Sequence, residues 1–193
     1  MNKKIFASRY QVIYLLGKKP GFRTLLCSDI QTQQLVVVKF MVWDKDFEWQ
    51  NLKLFEREAR VLQNICHPGV PKYLNYFEVN QPHLKGFALV QDYIQAASLE
   101  EYLQSGRTSS IEEVKLLAES VLEILIYLNS QKPQVIHRDI KLSNILLTNR
   151  SGNNIGDIYL VDFGSVKTLA ASYTKTTTVV GTYGYMSPEH FGG

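Results

Sequence analysis

Short apolar runs dominate the first half of the chain and predict a β-sheet there. Five of these runs are rich in β-branched and aromatic residues, and turn-forming residues separate several of them. They are Tyr10–Leu16, Thr24–Cys27, Leu35–Val42, Tyr73–Val79 and Phe87–Tyr93. Because most of the connections between them are short, the sequence predicts a five-stranded antiparallel sheet.

Helical patterns interrupt these strands once and then follow them. Between residues 47 and 65, apolar residues recur at three- and four-residue steps, which predicts one amphipathic helix. Further along, Ser98 with Glu101 and Ser110 with Glu113 match the capping box that begins helices. The second of these helices carries a wide apolar stripe, predicted to face a core, at Ile111, Val114, Leu117, Ala118, Val121, Leu122, Leu125 and Leu128. The chain is therefore predicted to be an α+β protein with strands first and helices afterwards.

Composition and charge change this picture little. The chain has 193 residues, enough for one large domain or two small lobes. Its net charge of +3 is too weak and too dispersed to indicate a nucleic-acid partner, and no apolar run approaches the length of a membrane span. Cys27 and Cys66 form no paired motif, and they are interpreted as buried thiols in a reducing cytoplasm.

One polar loop lies between two apolar runs, Val135-Ile136 and Ile145–Leu147, which are predicted to be short buried strands. The loop contains a histidine, an arginine, an aspartate, a lysine and an asparagine within eight positions, at His137, Arg138, Asp139, Lys141 and Asn144. Charged and amide groups on a loop with buried ends are costly to desolvate unless they have a task. An ordinary polar turn is the alternative interpretation.

The spacing H-R-D-x-K-x-x-N is that of the protein-kinase catalytic loop. With it come Asp162-Phe163-Gly164 directly after an apolar strand, and GTYGYMSPE at residues 181–189. On these motifs the chain, from Tyr10 to Glu189, resembles the N-terminal two-thirds of a bacterial serine/threonine protein kinase domain. The resemblance implies a two-lobed kinase fold, with the N-lobe in residues 1–93 and part of the C-lobe in residues 94–193. It also implies a helical lobe that is incomplete, truncated after the S-P-E motif.

For the nucleotide, the resemblance implies ATP and Mg²⁺ as cofactors. Lys39 would hold the α- and β-phosphates and would itself be held by Glu58. From the residues alone, Lys39 could equally be an edge charge, and Glu58 a carboxylate on a solvated rim. Asn144 and Asp162 would be the Mg²⁺ ligands. The positions that the resemblance assigns to nucleotide binding are Gly17, Gly21, Thr24, Val37, Lys39, Glu58, Gln91, Asp92, Ile94, Asn144, Leu146 and Asp162.

The loop between the first two strands departs from the kinase pattern G-x-G-x-x-G. Gly17 fits the first glycine, but Lys19 and Phe22 occupy the other two positions, and Gly21 is displaced by one place. Pro20 removes a backbone donor as well. This departure predicts weak nucleotide affinity. It keeps a nucleotide-binding pseudokinase and a non-functional kinase fragment open beside an active kinase.

For catalysis, the resemblance implies a protein substrate with a serine or threonine hydroxyl. Asp139 would orient and deprotonate that hydroxyl, Lys141 would neutralise charge on the transferred phosphate, and Thr182 would bond near both. Arg138 is implied as the receiver of a phosphate on the threonine-rich loop that follows Asp162. The favoured phosphorylation sites on that loop are Thr176, Thr177 and Thr178.

Overall fold

The structure is a computed structural model, and it describes residues 5–43, 47–81, 84–151, 155–168 and 181–186. The chain divides into two compact units. The first unit contains Met1–Asn64 and Lys72–Tyr93, and the second contains Ile65–Pro71 and Ile94–Gly193. Residues 65–71 thus group with the second unit, whereas the sequence boundary assigned everything up to residue 93 to the first.

The first unit is built on one antiparallel sheet with strand order β1-β2-β3-β4-β6-β5. All five predicted strands are present, and one short strand precedes them. That additional strand has only two residues, too few to show any periodicity in the sequence. The strands are β1 (Ile5–Phe6), β2 (Tyr10–Lys19), β3 (Phe22–Asp29), β4 (Leu35–Val42), β5 (Tyr73–Gln81) and β6 (Leu84–Asp92), and helix α1 is Trp49–Asn64.

Alternation along β4 gives the sheet two different faces. Val36, Val38 and Phe40 point to one side, where they join a buried cluster with Ala88 and Val90 of β6. These residues are at most 2% exposed. Successive side chains of a strand point to opposite faces, so Val37 and Lys39 must lie on the other side. One face of the sheet is therefore an apolar core, and the other, the polar face, carries Lys39 together with buried apolar side chains such as Met41 and Leu89.

Helix α1 confirms the prediction of one amphipathic helix between residues 47 and 65. Its buried side chains recur at three- and four-residue steps through Leu52, Phe55, Ala59 and Leu62. Glu58 is buried among them at 3% exposure, which shows that it is not a carboxylate on a solvated rim. A carboxylate at that depth requires a charged or hydrogen-bonding partner.

The connection between β2 and β3 is tighter than the sequence predicted. The two strands remain paired until Lys19 faces Phe22, which leaves a two-residue turn of Pro20 and Gly21. Gly21 has a φ of +68°, the value that the third residue of a type II turn needs and that proline before it favours. The carbonyl of Gly21 accepts a bond from Val42 N–H at 2.8 Å. The loop between the first two predicted strands is thus a tight hairpin turn.

An ion pair between a half-buried arginine and a buried aspartate joins the chain segment after β1 to the end of β3. Arg9 Nε donates a hydrogen bond to Oδ1 of Asp29 at 2.9 Å, and Arg9 Nη2 donates one to Oδ2 at 2.7 Å. These bonds from Arg9 outweigh the effect of burial and hold the pKa of Asp29 well below its ordinary value. Asp29 is 2% exposed, so the paired carboxylate fixes this corner of the first unit.

Because the folded-state pKa of Asp29 is depressed, its contribution to stability is present above the unfolded value of about 3.9 and is lost as the pH falls below it. We therefore expect Asp29→Asn to lower the free energy of unfolding at pH 7 by roughly 1–3 kcal/mol, since a hydrogen-bonded charge is lost. The deficit should shrink between about pH 4 and pH 2. Urea unfolding of both proteins across that range measures it. A deficit that is constant with pH would contradict this account of the pair.

The second unit contains two α-helices and several short strands within its described residues. Both predicted capping boxes are confirmed, because each cap serine accepts the backbone N–H of the predicted glutamate and each glutamate accepts the N–H of the serine. Strands β10, β9 and β7 form one sheet in that order, and β11 pairs with β8. The elements are β7 (Ala97–Ser98), α2 (Leu99–Gln104), α3 (Ile111–Ser130), β8 (Val135–Ile136), β9 (Ile145–Thr148), β10 (Asp157–Leu160) and β11 (Lys167–Thr168), with 3₁₀ turns at Leu142–Asn144 and Phe163–Ser165.

The prediction that the wide apolar stripe of helix α3 faces a core was wrong for most of its residues. Of the eight residues predicted to face a core, only Leu128 is buried, together with Ile124, which lay outside the predicted stripe. Ile111, Val114 and Leu122 are each more than half exposed. The width of an apolar stripe indicates how much surface a helix could bury, but burial requires neighbouring elements. Among the described elements, α3 packs mainly on β8 and β10, which cover one edge of it.

The two cysteines differ from each other. Cys27 is buried as predicted, and burial raises the pKa of its thiol to about 12. Cys66 is exposed, so its interpretation as a buried thiol was wrong. It lies just after the end of α1, where its backbone N–H donates to the hydroxyl of Tyr127 at 2.8 Å and its side chain points outward. No helix in the described ranges has both the length and the apolar character needed to cross a membrane.

Candidate active site

Four of the residues predicted for nucleotide binding share the polar face of the first unit's sheet. Thr24 on β3 lies opposite Lys39 on β4, and Val37 lies opposite Gln91 on β6. Since Val37 and Lys39 are two positions apart on one strand, all four side chains fall on the same face. Gly17 is paired with Thr24 at the end of the hairpin. The sheet thus places a lysine, a threonine and a buried glutamine on one surface.

The ion pair predicted between Lys39 and Glu58 is present. Lys39 Nζ lies 2.5 Å from Glu58 Oε1. The side chains are only 17% and 3% exposed, so water screens this pair far less than a surface pair. The pair fixes the end of the lysine chain above the polar face of the sheet.

Asp139 is the centre of a hydrogen-bonded group in the second unit. Thr182 Oγ1 donates to Oδ1 of Asp139 at 2.6 Å, and Lys141 Nζ donates to Oδ2 at 2.9 Å. Lys141 Nζ also lies 2.8 Å from Thr182 Oγ1, which closes a triangle of three side chains. Asn144 adds its amide nitrogen, 2.8 Å from the carbonyl of Asp139 and 3.2 Å from Oδ2. The residues predicted from the catalytic-loop motif and from Gly181-Thr182 therefore meet around one carboxylate.

The surroundings of Asp139 keep its carboxyl ionised. Burial acts to raise its pKa, but the hydrogen bond from Thr182 and the bond and charge of Lys141 outweigh that effect. The pKa of Asp139 is therefore below its ordinary value, even though the nearby charge of Asp162 acts in the opposite direction. At neutral pH the group is a carboxylate with oriented lone pairs.

Asp162 follows β10 and adopts a left-handed backbone conformation, with φ of 64° and ψ of 74°. The backbone of the preceding residue, Val161, makes two hydrogen bonds. Val161 N–H donates to the carbonyl of Asn144 at 2.9 Å, and His137 Nε2 lies 3.1 Å from the carbonyl of Val161. His137 Nδ1 accepts the N–H of Asp139 at 3.3 Å, so Nε2 carries the hydrogen. The histidine thus links the backbones on either side of the site.

Phe163 packs against His137. Its ring is fully buried and meets the ring of His137 edge-on, with the centroids 4.8 Å apart. The two rings therefore pack against each other. The effect of this packing is to fix the orientation of His137, whose two ring nitrogens bond to the backbone at Asp139 and Val161.

Arg138 also has a left-handed backbone, with φ of 66°. Its Nε donates to the carbonyl of Ser165 at 2.7 Å, a contact that could not be predicted from the sequence. This bond and the pairing of β11 with β8 attach the segment after Asp162 to the catalytic loop. The candidate phosphorylation sites Thr176, Thr177 and Thr178 lie outside the described residues, as does the S-P-E motif.

The remaining predicted residues have plainer surroundings. Gln91 is 6% exposed, and Asp92 N–H donates to the carbonyl of Lys72 at 3.0 Å. Ile94 is half-buried in the segment that begins the second unit's main part. Leu146 lies on β9, where it pairs with Ser98 of β7 and Tyr159 of β10. These contacts fix the residues in place and by themselves indicate no chemistry.

The donor set at Asn144 and Asp162 fits magnesium. One carboxylate and one amide oxygen are hard ligands of the kind that Mg²⁺ prefers. The amide nitrogen of Asn144 is the atom bonded to Asp139, so the amide oxygen would be the atom that coordinates Mg²⁺. No group of three or more His, Cys, Asp or Glu side chains suited to a metal occurs in the described part of the chain. A site with two protein ligands suits Mg²⁺ that is shared with substrate phosphates.

A buried lysine–glutamate pair on a sheet face is a feature of the kinase class of phosphotransferases, and so is a carboxylate bonded by threonine, lysine and asparagine. The chain belongs to the protein kinase family, because residues 10–193 match the family model of the protein kinase domain.

Curated relatives agree with this assignment. The chain is similar to serine/threonine-protein kinase D of Synechocystis, at 35% identity over 100% of this chain and 38% of the relative. It is also similar to serine/threonine-protein kinase B of Synechocystis, at 34% identity over 94% of this chain and 32% of that protein. The human serine/threonine-protein kinase tousled-like 2 is 30% identical over 95% of this chain and 24% of its own length. The chain thus spans less than two-fifths of the length of these relatives.

Proposed function

We propose that this chain catalyses the ATP-dependent phosphorylation of serine and threonine hydroxyls on a protein substrate. The observation that carries the proposal is the triangle of Asp139, Lys141 and Thr182, with Asn144 bonded to its carboxylate. Phosphoryl transfer needs positioned groups and charge neutralisation rather than a covalent intermediate, and this group supplies both. Because ATP is the proposed phosphate donor, we also propose that the chain is located in the cytoplasm.

In this mechanism Asp139 accepts a hydrogen bond from the substrate hydroxyl and takes its proton as the transfer proceeds. Its pKa, below the ordinary value, keeps Asp139 ionised at neutral pH, so the carboxylate can accept this hydrogen bond. Lys141 donates to the oxygens of the moving phosphate. Thr182 holds both side chains in place and borders the position of the substrate hydroxyl.

Candidate nucleotide-binding residues occur in each of the two units, considered separately. Lys39, held by Glu58, is proposed to donate to the α- and β-phosphates, and Gly17, Gly21, Thr24, Val37 and Gln91 are proposed to contact the nucleotide from the same sheet. Asp92, Ile94 and Leu146 are proposed to border the adenine. Asn144 and Asp162 are proposed to hold Mg²⁺, which would neutralise phosphate charge when bound.

One observation favours a second candidate, a pseudokinase that binds nucleotide without turnover. The turn at Pro20-Gly21 has one backbone donor fewer than a glycine loop, and its Gly21 carbonyl is bonded to Val42. A fixed turn of this kind offers fewer N–H groups to phosphates than a flexible glycine-rich loop. The two candidates differ in turnover and agree in predicting nucleotide binding.

Binding of Mg²⁺-ATP to the purified chain tests the part that both candidates share. A ligand that binds only the folded state raises stability by mass action, so the melting temperature should rise as Mg²⁺-ATP is added up to millimolar concentrations. The rise in melting temperature should be smaller when EDTA is present with ATP to remove Mg²⁺. With Mg²⁺-ATP, it should also be smaller in Asp162→Ala than in the wild type. A folded chain whose melting temperature is unmoved by millimolar Mg²⁺-ATP would overturn the assignment for this polypeptide.

We further propose that Arg138 receives a phosphate carried by Thr176, Thr177 or Thr178. A guanidinium has five N–H donors, so it can bond both the Ser165 carbonyl and a phosphate. After incubation with Mg²⁺-ATP, mass spectrometry should locate phosphate on one of these threonines. Replacing all three with valine should then lower activity towards an added substrate. Unchanged activity, with no phosphate on this loop, would rule out the switch.

A further inference from the structure

Gly69 occupies a position with no room for a side chain. A Cβ atom built on it would lie 2.7 Å from Cδ1 and 2.9 Å from Cγ1 of Ile124, and 3.0 Å from the carbonyl oxygen of Ile158. Ile124 is 2% exposed and Ile158 is 7% exposed, so neither has space to retreat. Glycine is required here for the close approach of three segments, and these are the 65–71 loop, helix α3 and strand β10.

The contact lies on the edge of β10 that β9 does not use. Leu160 N–H donates to the carbonyl of Gly69 at 2.8 Å, and Ile158 directs its carbonyl towards the same glycine. The next residue, Val161, donates its N–H in the opposite direction, to the carbonyl of Asn144. This is the alternation expected along a strand. Gly69 therefore acts as a one-residue neighbour that fixes the outer edge of β10.

The 65–71 loop is itself firmly held, so it can serve as a reference point. The N–H of Gly69 donates to Nδ1 of His67 at 3.0 Å, and the His67 ring lies 4.8 Å from the ring of Tyr127 on α3. The Tyr127 hydroxyl accepts the N–H of Cys66. Val70, after the glycine, is 4% exposed. Helix α3 thus holds the loop, and the loop holds β10 through Gly69.

Only Val161 separates this edge from Asp162. Its backbone is bonded to Asn144 and to His137, and the chain then enters the left-handed conformation of Asp162. A strand that slides along its own direction would carry Val161 and Asp162 with it. The bond from Leu160 to Gly69 resists that movement from the side opposite to Asn144.

We propose that Gly69 is a positioning residue for phosphate transfer, because its missing side chain lets the 65–71 loop fix β10 and thereby the carboxylate of Asp162. This inference rests on the proposed function, since Asp162 matters as a proposed Mg²⁺ ligand. A displacement of a few tenths of an ångström to one ångström at a reacting group lowers rates by up to about a hundredfold.

The test compares Gly69→Ala with Gly106→Ala in the full chain. Gly106 lies after α2 with φ of +76° and has no atom within 4 Å of an added Cβ, so alanine there strains the backbone without touching β10. For Gly69→Ala we expect kcat to fall about tenfold to a hundredfold. The Mg²⁺ concentration for half-maximal rate should rise several-fold, and KM for the acceptor should be unchanged. Gly106→Ala should leave the Mg²⁺ midpoint as in the wild type.

A readout independent of activity is the hydrogen exchange of the Leu160 amide, which should be at least about tenfold faster in Gly69→Ala and unchanged in Gly106→Ala. If Gly69→Ala does not fold, the double variant Gly69→Ala with Ile124→Val replaces it. Valine lacks the nearest methyl group, Cδ1 of Ile124, and the contact with the Ile158 carbonyl remains. The same shift of the Mg²⁺ midpoint is expected in this double variant. Equal Mg²⁺ midpoints and equal Leu160 exchange in the two alanine variants would overturn this inference alone. Absence of transfer in the wild type would instead overturn the proposed function.

Discussion

Replacing Asp139 with asparagine is expected to lower the rate of phosphate transfer by about 10²–10⁴-fold, because the substrate hydroxyl loses its proton acceptor. Asparagine keeps the shape of the side chain and can still accept the bond from Thr182 Oγ1. Binding of Mg²⁺-ATP should remain within about threefold of the wild type, since Asp139 is proposed to act on the hydroxyl. Steady-state kinetics and calorimetry on the same samples measure the two quantities.

A matched control is Asp157→Asn. Asp157 is an exposed aspartate on β10 that accepts a bond from Asn149, and it lies outside the proposed site. Its replacement should leave both turnover and nucleotide binding near the wild-type values. Equal loss of nucleotide binding and turnover in Asp139→Asn would show that Asp139 acts through the nucleotide and not through the hydroxyl.

The largest effect on stability is expected from Lys39→Met. Removing one partner of a buried ion pair leaves the other charge in a poor environment, and the cost is typically about 3–5 kcal/mol. Glu58 is 3% exposed, so its carboxylate has little access to water once the lysine is gone. The free energy of unfolding, from urea denaturation, should fall by that amount.

Two further variants make this prediction specific. Lys39→Met combined with Glu58→Leu should recover most of the loss, because an apolar pair of similar volume replaces a buried ion pair at little cost. Arg60→Met breaks the exposed pair with Glu56 on the same helix, where the side chains are 77% and 37% exposed, and should cost less than about 0.5 kcal/mol. If Lys39→Met costs no more than Arg60→Met, the pair is screened by water and the account of Glu58 is wrong.

Much of the fold could be predicted because its signals are local. The apolar run Leu35–Val42 predicted a strand, and β4 has the same bounds. The capping boxes at Ser98 and Ser110 depend on residues three positions apart, and both form. Helix α3 marks the limit of this reasoning, since Ile111 and Val114 are as apolar as a core requires and are exposed. Their burial depends on neighbours that a local pattern cannot show.

Some features of the candidate site could be predicted from the sequence, and others could not. The resemblance to protein kinases implied that Asp139, Lys141 and Thr182 would meet, although Thr182 is 43 positions from Asp139, and the hydrogen bonds form. The sequence could not show that Arg138 and Asp162 adopt left-handed backbones, because neither residue type requires that conformation. The bond from Arg138 to the Ser165 carbonyl was equally hidden, since every residue has a carbonyl. The tight turn at Pro20-Gly21 was readable in principle, because proline followed by glycine favours a type II turn.

The proposed reaction transfers the γ-phosphate of ATP to a protein hydroxyl, with Asp139 as the acceptor of the hydroxyl proton. It can be measured by incubating the folded chain with Mg²⁺, ATP labelled at the γ-phosphate and a serine- and threonine-containing protein acceptor, and then identifying the labelled amino acid. We expect labelled phosphoserine or phosphothreonine with the wild type and a loss of at least about a hundredfold with Asp139→Asn. Label that appears at the same rate with Asp139→Asn, or no label from a wild-type chain that binds Mg²⁺-ATP, would contradict this proposal.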